Sequence, residues 1–487
     1  MRHAVPTAMS TQHPDNVFQP FFVENGLIGG EDEIQEAFYA YSHLGCDEQM
    51  WDFEGKEVDN FVVKKLLTKN ESFFREKKLG QDVRLTLRVP NPEVEKAEGK
   101  ILLETLESIP RSYDAAKLFY GADIAPIIEV ILPMTTSSAS LDRVYRYYAD
   151  FVAGKQGRAI RSHDVSVGEW IGEFFPKTIN VIPLFEDKEH MLASADMVRE
   201  YLKDKDVPYQ RVFLARSDPA VNYGSIPAVL INKIALARLY TLSKEINTPI
   251  YPILGAGSAP FRGNLRPQTV EQLMKGYPSV HTFTIQSSFK FDHDPSVVQK
   301  AIETLRTKVT GEPIPVDEAR MLAIVDKYVD AYRADLKPLV PAIHAVAPYV
   351  PKRRKRKLHI GLFGYSRQMD EMSLPRAITF TASLYSLGVP PELLGLNALT
   401  DEDMRVIEEV YPHVLNDLRD AVQYADFNSP FFPIEIIPAI NFLLPDIQFN
   451  NQHIEQTARI ASIIHNDGRE DVTPLVHTAA GIRTFLG

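Results

Sequence analysis

The stretch VFLARSDPAVNYG, residues 212–224, runs into IPAVLINKIALARLYTLSKE at 226–245. A short apolar run halts at charged residues, and a long amphipathic stretch follows. That is the pattern of a strand, a loop and a helix. The same pattern recurs through the first 290 or so residues. In order, the other run ends are STQHPDN, DEQMWDFEGKEVD, LTLRVPNP, VILPMTTSS, VIPLFEDKE, YPILGAGSAPFRG and FTIQSSFKFDHD, which makes eight with VFLARSD. DEQMWDFEGKEVD has the weakest strand character of the set. Amphipathic stretches such as MLASADMVREYLKD lie between most of them. Alternating strands and helices imply a parallel sheet, and eight such units predict an α/β fold, a (β/α)8 TIM-type barrel. In that architecture the working residues sit at the carboxyl ends of the strands.

After Asp294 the pattern changes. In ARMLAIVDKYVDAY, the residues Met321, Leu322, Val325, Tyr328, Val329 and Tyr332 share one helical face. EDMRVIEEVYPHVLNDLRDAV and IEQTARIASIIHN also read as helices. The expected organisation is a barrel over 1–294 that carries the active site. A mostly helical extension over 295–487 would pack on it, completing the site and forming the oligomer interface.

Composition narrows the classes. The chain has 487 residues, 45% hydrophobic and 24% charged, ample for a large core. A formal net charge of −11 argues against a nucleic-acid partner, which usually needs a basic face. Cys46 is the single cysteine, so no intramolecular disulfide forms and a reducing cytoplasm is expected. MRHAVPTAMS has no apolar signal core, and no membrane span is expected.

Candidate chemistry gathers at the run ends. Glu186 ends VIPLFE and Asp218 ends VFLARSD. Carboxylates on consecutive strands can share one ion, and hard oxygen ligands favour Mg²⁺ or Mn²⁺. Either carboxylate alone could equally cap the helix after it. GAGSAPFRG holds Gly255, Gly257 and Gly263 with Arg262, a combination suited to binding phosphate or carboxylate, or simply to a turn. Arg88 ends LTLR, where a surface salt bridge is the plain alternative. PKRRKRK at 351–357 reads as a solvated linker or as an anion-binding segment. Arg367 and Arg376 follow in GYSRQ and SLPRAITF. His13, in STQHPDN, sits either in a cap-like loop or at a catalytic position.

The ordered set resembles phosphoenolpyruvate carboxylase, in its short archaeal-type form. STQHPDN is similar to the family's T-A-H-P-T histidine motif, and VIPLFED to its P-L-F-E metal motif. ARSDPAVNYG resembles its Y-S-D-S-x-K-D-x-G motif, and GAGSAPFRG its G-R-G-G-S-x-G-R-G-G loop. GYSRQ, SLPRAITF and the terminal TAAGIRTFLG continue the likeness to the last residue. The resemblance implies that His13, Arg262 and Arg88 are catalytic and that Glu186 and Asp218 hold Mg²⁺ or Mn²⁺. It further implies that Arg367, Arg376, Gln286, Lys290 and the three glycines face phosphoenolpyruvate and bicarbonate. The implied reaction forms oxaloacetate and phosphate through carboxyphosphate and a metal-stabilised enolate, in a homotetramer.

This chain departs from the pattern in four places. Ala256 replaces the loop's first arginine, and Val221 or Asn222 replaces a lysine. TASLYSLG lacks an arginine, and Thr484 stands where the larger enzymes have an inhibitor-site asparagine. Lys290 is the candidate to supply a missing charge. Two other readings fit parts of the pattern: a metal-dependent lyase or aldolase acting on a pyruvate-like acid, and a barrel that binds an anionic metabolite without turnover.

Overall fold

The computed structural model describes residues 5–24, 26–54, 58–355, 367–369, 372–466, 468 and 470–487. Eight parallel strands close into a barrel in chain order. They are β1 (Ala8–Ser10), β2 (Glu48–Asp52), β3 (Arg84–Arg88), β4 (Glu129–Leu132), β5 (Asn180–Phe185), β6 (Gln210–Ala215), β7 (Ile250–Gly255) and β8 (Thr282–Ile285). β1 pairs with β8 from Ala8↔Phe283 to Ser10↔Ile285, which completes the ring.

Strand side chains alternate between the barrel interior and the helical shell. Met9, Met50, Ile131, Ile182, Leu184, Phe213, Ala215 and Ile253 form one apolar cluster inside. Two residues earlier along the strands, the interior is ionic. Arg211 forks onto both oxygens of Glu48 at 2.7 Å and reaches Glu129 at 3.2 Å, and Arg84 joins Glu129 at 3.1 Å. Thr86 also donates to Glu48. This layer explains the charged look of the second strand: its acidic ends are buried beside cations rather than exposed.

The outer ring includes the helix Ser225–Glu245. It is apolar enough to cross a membrane, yet 78% of its apolar window is packed inside the protein. The helix Pro295–Arg306 still belongs against the barrel: Gln299 donates to the carbonyl of His43, and Arg306 reaches the Gly45 carbonyl at 3.5 Å. Beyond it the described residues are mainly helical, with an antiparallel pair of short strands, β9 (Arg367–Met369) and β10 (Met372–Leu374).

The basic run is no solvated linker where it is described. Arg353 donates to the carbonyls of Asn16 and Val17, and Ile28 exchanges backbone hydrogen bonds with Arg353 and Lys355. Arg354 is buried against Glu33 and Glu36. Arg353 thus fastens this segment to the loop that carries His13, and Arg354 fastens it to the helix Glu31–Tyr39. Arg356 and Lys357 lie outside the described residues.

Candidate active site at the mouth of the barrel

Continuing the interior alternation by one step past the apolar layer reaches Asp52, Arg88, Glu186 and Gln286, and two steps past Met9 reaches His13. Of the residues that the sequence assigns to chemistry, Arg88, Glu186 and Gln286 thus lie at or one residue past the carboxyl ends of their strands, and His13 lies on the loop after β1. His13 is half-buried, with Nδ1 2.8 Å from the Thr11 hydroxyl. Thr11 is itself fixed: its N–H donates to the Ile285 carbonyl, and its carbonyl accepts from Lys290 at 2.8 Å.

Arg88 is no surface arginine. It forks onto Asp52 at 2.8 and 2.7 Å and reaches Glu54 at 3.0 Å. Burial works against its charge, but Asp52, Glu54 and then Glu186 outweigh it and tighten its hold on its proton. Asp52 was not a sequence candidate. The available signal was its register, directly opposite Arg88 across β2 and β3. Nearby, Glu95 is buried and crowded by Glu54, which pushes its carboxyl up to about 8.

Glu186 follows β5 and accepts the Met134 N–H at 2.9 Å. Met134 adopts φ 49°, a left-handed conformation that a non-glycine residue rarely holds. Phe185 pairs with Leu214, so Glu186 and the start of the helix Ser217–Tyr223, which holds Asp218, leave neighbouring strands. Among the described residues, no three His, Cys, Asp or Glu side chains are grouped to hold a metal. A cation here would need water or substrate oxygens beside these two carboxylates.

The glycine-rich loop is tighter than an anion cradle. Backbone N–H groups of Ala256, Gly257, Arg262, Gly263, Asn264 and Leu265 donate to carbonyls nearby, and that of Phe261 donates to Glu392 at 2.5 Å. Its glycines serve close packing. A Cβ on Gly257 would lie 2.8 Å from the Arg262 guanidinium carbon, and one on Gly255 would lie 2.8 Å from Phe213. Gly263, at φ 124°, packs its Cα face onto Ala256. The loop folds around Arg262, which is 1% exposed. Arg262 donates to Ser217 at 3.1 Å, Asp15 at 3.2 Å, the Gly487 carbonyl at 2.7 Å and Gln286 at 2.6 Å.

Lys290 has a different task from the one expected of it. Its ammonium is fully buried and donates to Ser10, the Thr11 carbonyl and Glu36, at 3.0, 2.8 and 2.7 Å. It braces the end of β1 from behind instead of reaching into the mouth. The apparent losses at Ala256 and Val221 are core positions: both are fully buried in the main apolar cluster, and the Val221 carbonyl accepts the Tyr332 hydroxyl. Asn222, the other candidate for the replaced lysine, is half-buried. Arg376 precedes the helix Ala377–Ser386 and is half-buried. Arg367 contributes backbone to β9, and its side chain lies outside the described residues.

Asp15, Asp52 and Glu36 are buried charges that the sequence did not single out, and Arg354 was visible only as part of the basic run 351–357. Each finds its partner in a distant part of the sequence, a pairing that neither periodicity nor a motif reveals.

A closed parallel barrel with carboxylates, a histidine and cations at the carboxyl ends of its strands defines an enzyme of the (β/α)8 class acting on small anions. The chain belongs to the phosphoenolpyruvate carboxylase family, whose model matches residues 5–487. It is 58% identical over 483 residues to a phosphoenolpyruvate carboxylase of Methanothermobacter thermautotrophicus, covering 99% of this chain and 100% of the relative. Phosphoenolpyruvate carboxylases of Methanospirillum hungatei and Pyrococcus abyssi are 54% and 52% identical. Each comparison covers 99% of this chain and 100% of the relative.

Proposed function

We propose that this enzyme joins phosphoenolpyruvate to bicarbonate, giving oxaloacetate and inorganic phosphate. The observation that carries this reading is the placing of Arg88, Glu186 and Gln286 at or just past the carboxyl ends of β3, β5 and β8 and of His13 on the loop after β1, with Arg262 bound to Gln286 at 2.6 Å. Arg88, Arg262, Arg367 and Arg376 supply positive charge for the phosphate and carboxylate groups. Positioning and charge neutralisation are what phosphoryl transfer to bicarbonate requires. His13 then accepts the hydroxyl proton of carboxyphosphate as its C–O bond to phosphate breaks, releasing carbon dioxide beside the enolate. An imidazole titrates in the range where this transfer is efficient. Glu186 and Asp218 offer hard oxygens and no thiolate, a donor set that suits Mg²⁺ or Mn²⁺. When bound, such an ion neutralises charge on the phosphate and on the enolate oxygen.

We further propose a cytoplasmic homotetramer. The exposed Ile434 and Phe442 support subunit contact through the helical extension, and the exposed Phe151, Trp170 and Ile171 form a further apolar patch between β4 and β5; sedimentation would test it.

The deciding assay follows oxaloacetate through malate dehydrogenase, and phosphate separately, with and without bicarbonate. Bicarbonate-dependent oxaloacetate matched by equal phosphate is expected. His13→Asn should keep the fold and abolish oxaloacetate formation, and normal carboxylation by that variant would refute the assignment. Phosphate without oxaloacetate in the wild type would exclude the carboxylase, and no phosphate at all would favour the lyase or binding-protein readings.

A further inference from the structure

The loop that carries His13 and the loop that carries Arg262 lie far apart in the chain. One buried carboxylate joins them. Asp15, two residues after His13, is fully buried. Its Oδ2 accepts Arg262 Nη1 at 3.2 Å, and its Oδ1 accepts the Ser288 N–H at 2.8 Å. Its carbonyl accepts the Leu486 N–H at 3.0 Å. Of the groups that Arg262 donates to, Asp15 is the one carboxylate side chain; Ser217 and Gln286 are neutral side chains, and the fourth acceptor is the main-chain oxygen of Gly487, the last residue of the sequence.

Burial loosens the hold of Arg262 on its charge, and Asp15 is the side chain that opposes this, from the loop that carries His13. Through Ser217, Arg262 also touches the residue beside Asp218, a candidate metal ligand. The geometry therefore lets one ion pair set the distance between the proton acceptor, the anion-binding charge and the metal carboxylate.

We propose that Asp15 is a positioning residue for carboxylation, acting through Arg262 to hold that guanidinium in register with His13. The proposal rests on the assignment of His13 and Arg262 to the site. Asp15 touches no reacting atom. Its removal should disturb the step that needs the His13 and Arg262 groups together, more than it disturbs the binding of phosphoenolpyruvate.

The test uses four purified full-length variants: Asp15→Asn, Asp15→Glu, Arg262→Gln and the Asp15→Asn/Arg262→Gln double variant. For each, kcat, KM for phosphoenolpyruvate, the ratio of oxaloacetate to phosphate and the thermal midpoint are measured. Asp15→Asn should lower kcat by at least about tenfold, as small misplacements in a reacting site do, with a smaller change in KM and a lower product ratio. Asp15→Glu keeps the charge and should fall between wild type and Asp15→Asn. In the Arg262→Gln background, Asp15→Asn should change kcat by no more than about twofold, because residues acting as one unit are not additive.

An Asp15→Asn enzyme with wild-type kcat and product ratio would overturn the proposal. So would an undiminished effect in the Arg262→Gln background. Should Asp15→Asn fail to fold, Asp15→Glu decides alone: wild-type kcat and ratio would sink the positioning role, and a reduced kcat at unchanged thermal midpoint would support it. Full activity in Arg262→Gln itself would instead refute the site assignment.

Discussion

Glu36→Gln is the substitution whose consequences the structure fixes most tightly. Glu36 lies on the helix Glu31–Tyr39 and is fully buried behind β1. Its Oε1 accepts from Arg354 at 2.5 Å and from Lys290 at 2.7 Å. Burial opposes its charge, but Arg354 and then Lys290 outweigh burial and hold its carboxyl at about 2, below the ordinary 4.5. One pH unit corresponds to ~1.4 kcal/mol, so that depression stabilises the native state by ~3 kcal/mol at neutral pH.

Lys290 gives part of this back. For it, burial outweighs the pull of Glu36 and loosens its proton. Removing one partner of a buried ion cluster typically costs about 3–5 kcal/mol, which agrees with the same magnitude. The sign follows from the depressed value. The contribution is complete above 4.5 and is lost as pH falls through about 2. Urea unfolding at fixed protein concentration should place Glu36→Gln ~3 kcal/mol below wild type at neutral pH, with the gap narrowing toward about pH 3. A difference under about 0.5 kcal/mol at neutral pH, or one equally wide at low pH, would refute the reasoning. Activity should fall too, because Lys290 braces the Thr11 carbonyl next to His13.

Asp292 should act on stability in the opposite sense. It accepts the N–H groups of Val17 and Phe18 at 2.9 Å, and burial pushes its carboxyl up to about 7 from 3.8. The folded protein therefore holds a proton that the unfolded chain releases, and this group's contribution declines as pH rises from 3.8 toward 7. Asp292→Asn should flatten that part of the thermal midpoint against pH; an unchanged slope would exclude Asp292 as its source. Gly257→Ala would place a methyl carbon 2.8 Å from Arg262 Cζ and 3.0 Å from Gln286 Oε1. It should cut kcat and lower the thermal midpoint, and a fully active, equally stable variant would show that the fit around Arg262 is not critical. Glu186→Gln and Asp218→Asn should each raise the metal concentration for half activity at least about tenfold, read by Mg²⁺ titration. His13→Asn should leave metal binding, followed by calorimetry, unchanged.

The site shows where a motif reading stops. His13, Glu186 and Arg88 could be placed because a strand end is visible as a change from apolar to polar residues. Arg262 could be found through its glycines, although those glycines turn out to serve packing around the arginine instead of holding an anion with their own N–H groups. Lys290 was visible only as a charge. Its direction depends on the helix Ser287–Phe291, which turns it toward Glu36 behind β1. The same limit made Ala256 and Val221 look like losses, since a substitution does not reveal whether its position faces the mouth or the core.

By itself the sequence determined the eight strand–helix units, the helical region after them and the residues at the strand ends. All of these follow from local periodicity and short motifs. Tertiary structure alone decided the pairings: Arg88 with Asp52, Arg262 with Asp15, and Lys290 and Arg354 with Glu36. Barrel closure brings β1 beside β8 and sets the register between strands. A buried charge finds its partner across that register, where separation along the chain no longer measures distance.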